Sequence, residues 1–178
     1  MEYRMEGDRI LLRSVSLDDV NAAYQSWMND PEVVRYTESR FFAHTLESIQ
    51  EYVQSVQLDS SSVFLAIVEK SSGQHIGNVK IGHINPVHRS ADVGIIIGEK
   101  SCWGKGYAPE ALRLVATLAR DSLKLHKLWA GIYATNTGSI QAFAKAGFVS
   151  EGRFASHWLE EGRYVDGIQM GLLLEGPT

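Results

Sequence analysis

Apolar positions along the chain fall into two periods, and the element changes where the period changes. The runs Val63 to Glu69 and His75 to Ile84 are extended and apolar, and they flank Lys70-Ser71-Ser72-Gly73-Gln74. This predicts a hairpin with turn residues between two strands. Asn85-Pro86 ends the second strand, and residues 87–90 lead into a third, from Ala91 to Gly98, which completes an antiparallel meander. Arg9 to Val15 reads as an earlier strand. Helical spacing appears at four places. Ser16-Leu17-Asp18-Asp19 supplies a cap and an acidic first turn for a helix to about Asn29, stopped by Pro31. Thr45 to Val56 places Ile49, Tyr52, Val53 and Val56 on one stripe. A glycine-rich loop from Glu99 opens a helix over residues 107–120, with Pro109 where a first-turn proline is tolerated. Lys127 to Ala134 is a strand after a helix, so it lies parallel to the strand before the loop. Thr135 to Phe148 is then a short helix closed by glycine, with Ile140, Phe143 and Ala144 inward.

Composition narrows the class. At 178 residues and 44% hydrophobic, the chain can fill one core of its own, which predicts a single domain over 1–178. The formal charge of −4 comes without a basic run, so nucleic acid is not an expected partner. No segment has the apolar length of a membrane span, and Met1-Glu2-Tyr3-Arg4-Met5-Glu6 lacks a signal peptide's hydrophobic region. Cys102 stands alone, without the partner an internal disulfide needs. Together these give the expectation of a cytoplasmic protein that does not bind membranes.

The chemistry centres on the loop. Gly104 and Gly106 free the backbone to turn, so that several N–H groups converge at the positive end of a helix dipole, a place for phosphate. A P-loop needs Gly-x-x-x-x-Gly-Lys and then Ser or Thr; counted from Gly98 the second glycine position holds Trp103, and Lys105 is followed by Gly106. A dinucleotide loop needs Gly-x-Gly-x-x-Gly, and Pro109 occupies the third glycine position. Trp103-Gly104-Lys105-Gly106-Tyr107-Ala108 instead resembles the acyl-CoA loop Gln/Arg-x-x-Gly-x-Gly/Ala of the GNAT acetyltransferases, with Gly106 and Ala108 in the small positions. Trp103 in place of Gln or Arg resembles the branch of the RimJ/RimL ribosomal-protein N-acetyltransferases. A second stretch agrees in order and spacing: Asn136, Ser139, Phe143 and Gly147-Phe148 resemble the family's Asn-x-x-Ser/Ala, Tyr or a substitute, Gly-Phe. Glu151 to Gly171 resembles its closing hairpin, turning at Glu160-Glu161-Gly162.

The resemblance implies an α/β (α+β type) GNAT fold: a mixed, mostly antiparallel central sheet with helices on both faces. It implies an N-acetyltransferase that moves an acetyl group from acetyl-CoA to a primary amine by direct attack. Backbone groups of Ile95, Ile96 and Ile97, freed by a bulge, would serve the oxyanion and the co-substrate. Trp103, Gly104, Lys105, Gly106, Tyr107 and Ala108 would hold the phosphates, and Asn136 the pantetheine arm. Asp92 is the first candidate base and Glu38 the second. Phe143 stands where many members carry a proton-donating Tyr, which leaves Ser139 as substitute donor, with Tyr107 and Tyr133 behind it. Tyr36, Glu38, Arg40 and Phe41 are candidate acceptor contacts, on the likeness of the Trp27 to Glu38 segment to RimL-like and sugar-modifying members. His83, His88 and His157 lack metal-ligand spacing, so no metal is expected.

The acceptor stays open between a protein N-terminal α-amine, to which the RimJ/RimL likeness points, and an amino sugar or other small-molecule amine. A lysine-like amine of pKa ~10.4 needs roughly 4 to 5 kcal/mol to become neutral at pH 7, an α-amine near ~7.8 about 1. That leans toward low-pKa acceptors. A non-catalytic acyl-CoA sensor on the same fold is the alternative of another class, raised by Phe143. A homodimer is a further expectation, with the last strand as the available edge.

Overall fold

The computed structural model describes residues 2–174; Met1 and 175–178 of the expected domain lie outside the described residues. Its strands are β1 (Arg4–Glu6), β2 (Ile10–Ser14), β3 (Val63–Glu69), β4 (His75–Asn85), β5 (Ser90–Ile97), β6 (Lys127–Tyr133), β7 (Val149–Glu160) and β8 (Arg163–Leu173). Its α-helices are α1 (Ala22–Met28), α2 (Leu46–Leu58), α3 (Tyr107–Asp121) and α4 (Thr137–Lys145). The strands form one sheet in the order β1-β2-β3-β4-β5-β6-β8-β7. β5 and β6 are parallel and every other neighbouring pair is antiparallel. This is the expected mixed, mostly antiparallel sheet.

Alternation along the strands divides the molecule into two layers. Leu12, Leu65, Val79, Val93 and Leu128 pack on one face with Leu112, Val115 and Leu118 of α3 and Phe143 of α4. Val15, Ala66 and Val68 pack on the other face with Tyr24 and Trp27 of α1 and Ile49 and Val53 of α2. Each such large apolar side chain, taken fully out of water, stabilises the fold by about 1.5–3 kcal/mol.

Four expectations change. The helix from Ser16 to Asn29 is two pieces, a 3-10 turn over Leu17–Asp19 and then α1. Asp19 turns back to accept from the Ser16 N–H, while Asn21 starts a new cap by accepting from the N–H groups of Ala23 and Tyr24. Local side-chain caps compete with helix continuity there, and Val20 is extended. Tyr52 is 44% exposed and departs from the buried stripe of α2, lying edge-on to Phe64. β1 is an added strand, antiparallel to β2. The last strand is not an edge: β8 lies between β6 and β7, so the free edges are β1 and β7. The β7–β8 hairpin turns through Glu161 and Gly162, both at positive φ as two-residue hairpin turns require.

Candidate active site

The sheet opens at its centre. β5 and β6 are registered only over Ser90–Lys127, Ala91–Leu128 and Asp92–Trp129, so beyond Asp92 and Trp129 the strands part. Successive residues of a strand turn their backbone groups to opposite sides. A Cβ on Gly77 of β4 would lie 2.2 Å from the Ile96 carbonyl, and the Gly98 N–H donates to the Ile76 carbonyl, so Ile96 and Gly98 face β4. Ile95 and Ile97 therefore face the opening. Two parts of the backbone expectation are corrected accordingly: Ile96 turns its N–H away from the cleft, and the bulge lies just beyond Ile97, where the N–H groups of Gly98 and Glu99 both donate to the Ile76 carbonyl. The β4–β5 register runs unbroken from Asp92 to Ile97; a second irregularity lies between Gly82 and Asn85 on β4, where His83 has φ +47°. The opening arises from divergence of β6.

At the far end of β5 a 3-10 turn (Lys100–Cys102) leads into the glycine loop. The Trp103 indole N–H donates to the Ile97 carbonyl at 2.7 Å, closing that end of the cleft edge. Gly106 caps α3 in the left-handed conformation, φ +85°, without a side chain. The N–H groups of Gly104, Lys105 and Gly106 make no hydrogen bond to the described residues, and a Cβ on Gly104 would meet nothing within 4 Å. With the first-turn N–H groups of α3 these form an open cradle, which fits an anionic pyrophosphate.

The cradle is braced from β2. Arg9 donates through Nε to Glu110 and through Nη1 to the Lys105 carbonyl at 2.7 Å, and Glu110 also accepts the N–H groups of Arg9 and Ile10. Burial pushes the Glu110 carboxyl up, but those N–H groups and the guanidinium outweigh it and hold it below the usual range. The peptide bonds of the described residues are all trans, so a Lys105 carbonyl turned to Arg9 sends the Gly106 N–H the other way. Tyr107 donates its hydroxyl to Glu69, and this bond, with burial, raises the phenol's pKa; Tyr107 is thereby committed away from the cleft.

The opposite wall comes from α1's exit, a 3-10 turn (Glu38–Phe41) and β7. Tyr36 packs on Tyr133, whose ring stacks on Trp158 with centroids 4.7 Å apart. Glycines make room for that indole: a Cβ on Gly167 would lie 2.6 Å from it and one on Gly131 3.1 Å. Arg40 donates to the Thr37 and Leu159 carbonyls and to the Tyr133 hydroxyl. Glu160, 8% exposed, accepts from Arg35 Nε at 3.1 Å and from the Thr135 hydroxyl at 2.6 Å. A cavity of about 660 Å³ lies here, lined among others by Met28, Val34, Arg35, Arg40, Phe41 and Glu160. Arg40 and Phe41 line this cavity, with Phe41 exposed and under the Arg40 guanidinium at 4.3 Å, whereas Tyr36 packs on Tyr133 and Glu38 stands outside the lining.

Asp92 projects on the α2 face and is bound by His83, Nδ1 to Oδ1 at 2.6 Å, with His83 87% exposed. Glu38 begins its 3-10 turn, exposed and with no hydrogen bond among the described residues. Asn136 caps α4 by accepting the Ser139 N–H at 3.1 Å, and Ser139 is half-buried beside it. Phe143 is core, 2% exposed, edge-on to Phe148. The sequence reading missed Arg9, Glu110, Trp158 and Glu160. Arg9 and Glu110 are 101 residues apart, and a carboxylate just before a hairpin turn gives no local sign of burial.

The family described as acetyltransferase (GNAT) domain matches residues 9–149. The chain is 27% identical over 168 residues to an uncharacterized N-acetyltransferase, p20, of Bacillus licheniformis, covering 93% of each chain. It is 29% identical over 161 residues to the spermidine N(1)-acetyltransferase of Escherichia coli K12, covering 90% of this chain and 84% of that one. The solved spermidine N-acetyltransferase from Vibrio cholerae in complex with CoA and spermine has the same fold, with a TM-score of 0.83 at 24% identity over 93% of this chain and 96% of that one.

Proposed function

The chain belongs to the GNAT acetyltransferase family and is an acetyl-CoA-dependent N-acetyltransferase; from that premise we propose that its acceptor is a small-molecule primary amine, not a protein N-terminus. The observation that carries this is the chain's 29% identity, over 90% of its length, to a spermidine N(1)-acetyltransferase, beside an open-sided cavity of about 660 Å³ between α1's exit and the end of β7. The spermidine acetyltransferases among the relatives support the same side of the choice, and the RimJ/RimL assignment has no such support.

In this reading the N–H groups of Gly104 to Ala108 hold the pyrophosphate, with Lys105 and Trp103 beside it, and Ile95, Ile97 and Asn136 align the pantetheine arm. The amine lone pair adds to the thioester carbon, the C–N bond forms, the C–S bond breaks, and the electron pair leaves on sulfur. The Ile95 N–H faces the developing oxyanion, a preorganised donor that costs no reorganisation in the step. Ser139 stands at the first turn of α4 as proton donor to the thiolate; a thiol of pKa ~8.5 leaves with little help. Asp92 takes the amine proton and His83, hydrogen-bonded to it and open to solvent, passes it to water. Glu38 is the second base.

Free-thiol release from acetyl-CoA, measured against a panel of small amines and a panel of short peptides with blocked side-chain amines, tests the assignment. Small amines are expected to turn over, and Asp92→Asn to lower kcat by at least about 10²-fold with acetyl-CoA affinity kept. Turnover confined to peptide N-termini would refute the acceptor class; unchanged kcat in Asp92→Asn would remove the base.

A further inference from the structure

The charges around the acceptor cavity divide, among the described residues, into a paired group and one unpaired cation. Arg35 is shared by two carboxylates, Glu160 at 3.1 Å and Glu161 at 3.3 Å, and Arg163 lines the same recess, so that group is balanced in charge. Arg40, on the same cavity, has no carboxylate within 4.0 Å among the described residues; its three bonds go to the Thr37 and Leu159 carbonyls and the Tyr133 hydroxyl. A guanidinium carries five N–H donors, so two remain for a ligand. The two are adjacent, since Arg40 binds the carbonyl of Leu159 and Glu160 is the next residue. Between them Met28, Val34 and Phe41 supply apolar lining.

We infer that the acceptor is an amine that also carries a carboxylate, a zwitterion of the amino-acid type with an apolar body, whose carboxylate binds Arg40 and whose amine points from there toward the opened β5 edge. This rests on the transferase reading above and departs from the polyamine acceptors named for the relatives. A polyamine brings only positive charge, and Arg40 repels it. An amino acid neutralises Arg40 by a charge-assisted bond and leaves its amine free to reach the thioester.

The test is thiol release from acetyl-CoA with a panel of amino acids of varied side chain, each beside its methyl ester and its decarboxylated amine, and with spermidine. The expected result is the highest kcat/KM for acid-bearing amines of apolar side chain, falling about 10- to 100-fold in the ester even though its amine is more readily deprotonated. Arg40→Gln is expected to lose that preference while the KM for acetyl-CoA stays within twofold, and Arg40→Lys to keep part of it. Because Arg40 also ties three elements together, the wild-type comparison of acid with ester stands if Arg40→Gln fails to fold. Turnover of spermidine or of the decarboxylated amines equal to or above that of the amino acids would overturn the inference and leave the transferase reading standing. Thiol release with no amine in the panel would overturn both.

Discussion

At the scale of single residues, the cradle depends on a side chain far from it in sequence. Glu110 lies in the first turn of α3, where its charge would oppose an incoming pyrophosphate; the Arg9 guanidinium at 3.1 Å offsets that charge. The same guanidinium fixes the Lys105 carbonyl and so the direction of the Gly106 N–H. Arg9→Gln is therefore expected to raise the KM for acetyl-CoA by about 10-fold, the worth of one or two hydrogen bonds to charged groups, with kcat nearly unchanged. A thioester of phosphate-free pantetheine separates this from general loosening: its KM should be the same in Arg9→Gln and wild type. An equal rise with both thioesters would make Arg9 a purely structural brace.

At the scale of elements, periodicity and turn chemistry made most of the fold legible. The meander, the strand-loop-helix unit, the crossover strand and the glycine-closed α4 all carry local signals of apolar spacing beside Gly, Pro or Asn. What escaped was set by distant contacts. The insertion of β8 between β6 and β7 depends on the register of Leu173 with Lys127 through Gly167 with Tyr133, for which the strands themselves hold no mark. The opening of the sheet escaped in part for the same reason, because β6 diverges while β5 keeps its register with β4. The site divided the same way: the glycine cradle was readable, and the Glu160 and Trp158 wall was not. Helix α4 provides a test of what replaces the family's usual Tyr. Phe143 is sealed against Phe148, so Phe143→Tyr would bury a hydroxyl where the aromatic core offers no visible partner. The expected cost is about 1–3 kcal/mol of stability, seen as a lower denaturant midpoint, with no gain in kcat. A rise in kcat would show that the ring reaches the cleft.

At the scale of the whole molecule, buried titratable groups link β2, β4 and the first turn after β2, and their protonation sets how the fold responds to acid. His75 is packed between Tyr24 and Trp27, its Nδ1 without a hydrogen-bond partner among the described residues and 3.8 Å from Asp19. Burial lowers its pKa, outweighing the bonds from Nε2 to Asn78 and Gly77 and the Asp19 charge. The folded protein therefore binds this proton less readily than the unfolded chain, whose His titrates near ~6.5, and stability falls as pH drops below that value. Asp19 behaves similarly lower down. Burial pushes its carboxyl up, but the Arg13 guanidinium at 2.5 Å and the Ser16 N–H outweigh it and hold the group below its usual range, as Arg9 and its neighbours do for Glu110. The stability these carboxylates contribute is present above the unfolded value near ~4 and is lost as pH falls through their lower folded values. Thermal unfolding followed from pH 8 to 3 should thus show two limbs of decline, one beginning near ~6.5 and one below ~4. His75→Gln should flatten the first limb and spare the second; Asp19→Asn should diminish the second. A single decline confined below pH ~4, unchanged in His75→Gln, would mean that His75 takes up its proton in the folded protein as easily as in the unfolded chain.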